Sequence, residues 1–565
     1  MFNLHRGARQ LEGDRLFAEA RRRADECGFA LLRSSSYVFP AISVSVVDQP
    51  KGCAGPDVWW FDAPCDLFVR ARGVAMGCGE GGPGSAAKCS VTFEQLQAAV
   101  ISDPRAGALE RLPLAFFGET FSGETATSWP GWPARWIYAP ARLDYHSSIG
   151  HGTLLQLPVY PGDDAETVLS RLCLDTKATS QDGAPLEPVF AEAQTLASKA
   201  RQELDVEGWV ALVEEAQRAV QRGELSKVVL ARAATLVAPQ LDAPNLYEVL
   251  TGLSRRFDDC TVFSLRGFGA APDEAFIAAT PESLGRLVGD RFETMALAGT
   301  LPAGAEAEAL LADDKLRAEQ QIVTDELVAA LRPLCSELTW PERPRVRRLA
   351  NVCHLETPIS GRVVPGTDLP ELVRALHPSA AVGGSPHPNA MRWLREREGL
   401  ERGAYAAPVG WLDVEGGGHA VVSLRCGLWR GQTLRAYVGA GITADSDPRA
   451  EWVETEQKLA ALATALPDGV AAEEQAEATK TFEATKTFEA TKTFEATKTF
   501  EATKTFEATN PFELPGRAPA RQNEADSDVA DEQLELPPRE TPSMLRVVAG
   551  RSVALPALKA EAVGS

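Results

Sequence analysis

Lys227 stands at the head of an apolar run, Val228, Val229, Leu230 and Ala231. A lysine so placed has two readings. Its stem can carry the ammonium out to solvent, or the amine can be kept partly desolvated. Desolvation disfavours an ammonium and favours the free amine that a general base needs. A second group follows Pro448: Glu451, Glu454 and Lys458 fall at i, i+3 and i+7, on one face of a helix. Most such faces are simply solvated. This one comes shortly after Gly439-Ala440-Gly441, read as a glycine turn that lets a ligand approach the backbone closely. Glu319 lies in another helical stretch, beside Gln320 and Gln321 and before the apolar pair Ile322 and Val323. Two carboxylates from separate helices, with few histidines nearby, suit hard Mg²⁺ better than zinc. Magnesium keeps waters and binds through one or two carboxylates plus anionic groups of a substrate. A cation beside Arg425 and Lys458 therefore implies a polycarboxylate small molecule.

The elements that must position these residues are legible in the apolar periodicity. Residues 207–222 repeat with helical spacing and Gly223 breaks the pattern. Residues 226–237 read as a mostly buried strand, and 306–334 as one long helix. Val421 to Leu428 and Thr433 to Val438 look like a hairpin. The last helix is expected to start near Asp447-Pro448, since proline is tolerated in a first turn, and to run to Leu466. The first 200 residues, rich in Trp, Gly and Pro, read as short strands and loops. Gly77 to Gly82 matches G-x-G-x-x-G, but Pro83-Gly84-Ser85 follows and no amphipathic helix begins. A dinucleotide site needs that helix, so this is read as a glycine-rich turn.

A family resemblance emerges from these and further motifs in order: SKVVLAR, TPESL, MALAGTLPAG, AEQQIVTDEL, VCHLETPISG, ALHPSAAVGGSP, YAAPVGW, VVSLRCGLW and YVGAGITADSDPRAEWVETEQKL. The chain resembles the chorismate-utilising enzymes: isochorismate, salicylate, anthranilate and aminodeoxychorismate synthases. The likeness spans roughly residues 205–466, is weaker before that, through Trp59-Trp60 and FFGETFSG, and does not reach 467–565. It implies an α+β fold like that of anthranilate synthase component I, a large chorismate-binding unit with mainly antiparallel sheets flanked by helices. Residues 1–200 are then the β-rich part of the catalytic unit, 201–466 its core and 467–565 a tail.

The resemblance also implies roles. Lys227 matches the lysine that activates water for addition at C2 of chorismate, and Glu282 the acid that protonates the departing C4 hydroxyl. Glu319 and Glu454 match magnesium ligands, and Glu451 a neighbour of that set. Arg425 and Lys458, with the backbone from Gly439 to Gly441, match groups that hold substrate carboxylates, while His354 and Tyr405 match pocket-lining positions. Within the family, isochorismate synthase is the nearest likeness. Amine-forming relatives carry other residues at the Lys227 position, and often a lysine where this chain has Ala298. No glutaminase motif is visible, so no glutaminase subunit is expected. Salicylate synthases share the lysine but carry threonine where this chain has Ala381. Many relatives have histidine at the Gln320 position and an acidic residue at Leu316, departures that bear on magnesium affinity. Isochorismate feeds menaquinone, siderophores and salicylate; Glu319-Gln320 and the PVGW segment lean toward menaquinone.

Composition bounds the remaining possibilities. A 565-residue chain of net charge −21 lacks the basic footprint of a nucleic-acid binder. No apolar run reaches a membrane-spanning length, and the first residues have no secretory h-region. Ten scattered cysteines without a C-x-x-C pair fit reduced thiols, and with the rest a cytoplasmic monomer or weak homodimer is expected. After Pro467 the hexapeptide EATKTF repeats five times from Glu477 to Phe506. Lone phenylalanines amid Thr, Lys and Glu bury too little surface to offset ordering entropy, so a disordered tail is expected.

Overall fold

The computed structural model describes residues 2–27, 29–35, 56–62, 67–80, 93–102, 111–147, 150–164, 168, 201–237, 246–268, 274–302, 306–348 and 352–463. All lie within one compact unit, Met1–Thr485. The hexapeptide repeats, the rest of the tail and four cysteines (Cys53, Cys65, Cys89 and Cys173) lie outside the described residues.

The fold is α+β, with helices packed on an extended and predominantly antiparallel hydrogen-bonded sheet system. Among the described residues Ala30–Ser35 runs parallel to Val100–Ser102, and the other strand pairs are antiparallel. Two halves of the chain share this system. Strand Asp57–Asp62 pairs with Thr261–Arg266, setting Trp60 opposite Phe263. Side chains alternate along a strand, so neighbouring Trp59 and Trp60 enter different apolar clusters. Trp60 stacks on Phe263, ring centroids 5.4 Å apart, in the larger one.

The strand Lys227–Val237 is central to the later half. It pairs along its length with Thr433–Ile442 and, at its start, with Gly384–Ser385. Helix Val206–Gln221 precedes it, capped where Asp205 accepts a hydrogen bond from the Gly208 amide, and stops before Gly223, whose φ is +73°. It buries Trp209, Val213, Ala216 and Ala219, and Trp209 meets Trp452 of helix Pro448–Ala463.

Four sequence expectations need correction. The helix expected over 306–334 is two helices, Ala307–Ala312 and Asp314–Leu331. Asp313 leaves helical geometry at ψ 111° and caps the second helix by accepting from the Leu316 amide. The expected hairpin is Cys426–Arg430 with Thr433–Ile442, whereas Gly418–Val422 is a separate strand; the chain turns between them through Arg425, at φ +45°. Gly77–Glu80 is not a turn but the end of strand Leu67–Glu80, held opposite Arg135–Tyr138. The N-terminal part is also less fragmentary than expected, with helix Phe2–Cys27 and long strands at Arg135–Ser147 and Gly150–Val159.

Candidate active site

One cavity of about 360 Å³ gathers all ten site residues anticipated from sequence. They arrive from separate elements. Lys227 begins its strand, while Glu282 and Arg425 occupy the irregular segments after strands Ala275–Thr280 and Gly418–Val422. Glu319 comes from helix Asp314–Leu331, His354 from strand Val352–Val363, and Gly439 and Gly441 from strand Thr433–Ile442. Glu454 and Lys458 come from the last helix, joined on the same face by Glu451. Tyr405 lies in the turn before Pro408–Leu412 and stacks on Tyr437, centroids 5.6 Å apart.

Lys227 is 2% exposed, and its Nζ lies 2.7 Å from Glu319 Oε1. Sequence reasoning gave these residues independent roles, as base and as metal ligand; the structure makes them partners. Lys458 Nζ lies 2.7 Å from Glu454 Oε1 and donates to the Gly439 carbonyl at 2.8 Å.

The Gly439-Ala440-Gly441 segment, expected to be a turn, is extended strand opposite Leu230 and its neighbours. Its glycines are needed for space. A Cβ at Gly441 would lie 2.7 Å from Glu319 Oε1 and 2.8 Å from Lys227 Cε, and one at Gly439 2.7 Å from Tyr405 Oη. Gly441→Ala is therefore expected to push the Lys227–Glu319 pair aside and lower kcat by about 100-fold, the scale of a 1 Å misplacement in a reacting geometry. Steady-state kinetics alongside a thermal melt checks this, because the fold should survive.

Electrostatics separate the acidic and basic groups. Burial raises the Glu282 carboxyl to about 7, against the opposing pull of Lys227. It thus titrates around neutral pH, well above the usual carboxylate range, and can serve there as an acid. Burial lowers His354 to about 3, reinforced by Lys458, Arg425 and Arg347, so its imidazole is neutral and serves as a hydrogen-bonding group. The Tyr405 hydroxyl is driven well above its ordinary range by burial, and stays protonated. Arg425 is half-buried over Phe257, with Nη1 3.3 Å from the Cys260 sulfur. Its left-handed backbone is uncommon for a residue with a long side chain, and such outliers gather at functional sites.

Several supporting residues escaped sequence reasoning. Arg402 and Glu398 form a buried pair behind the lysine strand; Glu398 accepts from the Ala231 amide at 2.8 Å, and Arg402 donates to the carbonyls of Val229 and Val382. The pair ties that strand to the small-residue loop containing Ala381. Arg402 stands in the RGAYAAPVGW stretch, but nothing in its local pattern marks it as buried. Gln320 points away from the cavity, donating to the Ala296 carbonyl and Thr357 Oγ1. The departure expected here from the resemblance thus lies in the packing behind the site.

The chain matches the family model described as chorismate binding enzyme over residues 26–467. It belongs to that family. It is 36% identical over 316 residues to the salicylate biosynthesis isochorismate synthase of Pseudomonas aeruginosa, a match covering 54% of this chain and 64% of the relative. It is 32% identical over 364 residues to isochorismate synthase MenF of Bacillus subtilis, covering 63% and 74% of the two chains. Among solved structures, the menaquinone-specific isochorismate synthase MenF from Escherichia coli superposes with TM-score 0.59 at 25% identity, covering 78% of this chain and 95% of that one. Anthranilate synthase component I from Streptococcus pneumoniae shares the fold, with TM-score 0.54 at 18% identity over 71% of this chain and 92% of its own. The expected fold is thus the observed one.

Proposed function

We propose that this protein is an isochorismate synthase, converting chorismate to isochorismate by adding water at C2 as the C4 hydroxyl departs. The observation that carries this reading is that one cavity holds a buried carboxyl lifted by its burial to about 7 and a buried lysine. A carboxylic acid and an amine facing one cavity are groups that can protonate a leaving hydroxyl and deprotonate water.

Glu282 protonates the departing hydroxyl, which leaves as water. Lys227 takes a proton from the attacking water, so both proton transfers are accounted for and the double bonds shift within the ring. A lysine accepts a proton only as the free amine, so turnover requires its ion pair with Glu319 to part. Arg425 and Lys458 supply positive charge for the substrate's carboxylates, against a chain whose net charge of −21 repels them. His354 and Tyr405 offer neutral polar contacts.

Glu319, Glu451 and Glu454 present only oxygen donors to the cavity, which fits a hard cation such as Mg²⁺. Among the described residues no three metal-ligating side chains cluster, so an ion held here would have to complete its shell with water and substrate. When bound, magnesium supplies charge neutralisation at the ring carboxylate and withdraws electron density from the conjugated ring.

Two small side chains in the cavity bear on the product. Ala298 offers no amine for covalent capture of the ring, and Ala381 stands where pyruvate-eliminating relatives carry threonine. Incubation with chorismate and Mg²⁺, followed by chromatography, is expected to give isochorismate without pyruvate, and chelation should stop turnover. Stoichiometric pyruvate with salicylate would replace this reading by the lyase. Menaquinone supply is the assignment we favour, on the same likeness to MenF proteins.

A further inference from the structure

A second cavity, of about 680 Å³, adjoins the first at Pro281 and holds an arrangement that the reaction above does not use. Consecutive residues serve the two cavities: Glu282 faces the first and Ser283 the second. Ser283 Oγ is 3.0 Å from His419 Nε2, and His419 Nδ1 is 2.6 Å from Asp62 Oδ2. Ser283 is half-buried at the cavity wall, His419 is 4% exposed, and Asp62 behind it is 1% exposed. That graded order, with each imidazole nitrogen engaged by its proper partner, is the arrangement in which a histidine activates a serine and a buried aspartate orients the histidine.

Three strands converge to build it. Ser283–Val288 pairs with Gly418–Val422, with Ser283 opposite Val421 and His419 opposite Arg286 across a register shift, and the His419 ring reaches along the strand to the serine. Asp57–Asp62 brings the carboxylate from the N-terminal part of the chain. Trp60 places its ring at right angles to the imidazole, centroids 6.2 Å apart, and restricts its tilt.

The charges of the wall select a ligand. Four arginines line the cavity, and three of them have carboxylate partners there: Arg291 with Glu293, Arg345 with Glu356, and Arg347 with Glu356 and Asp259. Arg286, three residues from the serine, has no ion pair among the described residues.

We propose that Ser283, His419 and Asp62 form a second catalytic centre, an esterase site for short esters whose acyl part carries one carboxylate. Ser283 Oγ adds to the ester carbonyl while its proton passes to His419 Nε2. The ester C–O bond then breaks, and the alcohol leaves with that proton. Water, deprotonated by His419, next adds to the acyl-serine, and its collapse releases the acid and restores the hydroxyl. Arg286 receives the substrate's carboxylate.

The test uses the full-length protein with a fluorophosphonate probe and with 4-nitrophenyl hemisuccinate. Tandem mass spectrometry is expected to place one adduct on Ser283. Hemisuccinate hydrolysis should fall about 100-fold or more in His419→Asn, the span usual for loss of a general base. Hydrolysis of the uncharged butyrate ester should be about 10-fold slower than that of the hemisuccinate, a single tenfold step of transition-state preference. Absence of an adduct on Ser283 in the unaltered protein overturns the proposal without recourse to any variant. So does labelling that survives His419→Asn, or hydrolysis retained in Ser283→Ala, and equal rates for the two esters overturn the assigned substrate class.

Discussion

Replacing Lys227 with methionine is expected to lower kcat for chorismate by about 1,000-fold, within the range set by removal of a positioned base. The methionine keeps the length and apolar stem of the lysine and removes the amine. Lys227 is 2% exposed and its Nζ is paired with Glu319, so the substitution removes the amine from an enclosed position. The substitution also strands Glu319. That carboxylate is 14% exposed and retains contact with solvent, so the stability lost should fall below the roughly 3–5 kcal/mol seen when a fully buried partner is removed. Kinetics and a thermal melt on the same preparation separate the two effects. A variant within tenfold of the unaltered enzyme would remove Lys227 from the chemistry.

Glu282→Gln has the second large expected effect, a fall in kcat of about 100- to 10,000-fold. The glutamine is nearly isosteric and hydrogen-bonds, but it cannot give up a proton to the departing hydroxyl. The pH dependence carries the finer prediction. Burial raises the Glu282 carboxyl to about 7, so the group is protonated below that value and loses its proton above it. Forward turnover should therefore decline as pH rises through about 7, and Glu282→Gln should remove that limb from the residual activity. A profile that kept the limb in the glutamine variant would assign it to another group.

Much of this site was legible because its chemistry depends on residue type within ordered motifs. Lys227 in an apolar strand, Glu319 in a helix and the acidic face of the last helix each carried a signal, and the cavity gathers all of them. What the sequence concealed is how they face one another. Helical periodicity places Glu319 on a face, but only the packing of Asp314–Leu331 against the sheet brings its carboxylate to the lysine. The same limit explains Gly439 and Gly441. Paired glycines look like a turn from composition, whereas here they lie in a strand and make room for side chains arriving from other elements. The break at Asp313 was missed because the apolar spacing of 306–334 runs through it, and a capping aspartate inside a helical pattern is a weak local cue. The Arg402–Glu398 pair and the Asp62–His419–Ser283 chain are products of tertiary structure, since their members lie far apart in sequence or show no periodic signature.

In the proposed reaction one cavity adds water to one ring carbon while a hydroxyl leaves another. Turnover of chorismate in ¹⁸O-labelled water, read by mass spectrometry with fragment assignment, tests it most directly. The expected product is isochorismate carrying one ¹⁸O, at the C2 hydroxyl, with no label in the carboxylates. Isochorismate formed without ¹⁸O would mean that the original hydroxyl migrates within the ring, and would contradict the roles given to Lys227 and Glu282.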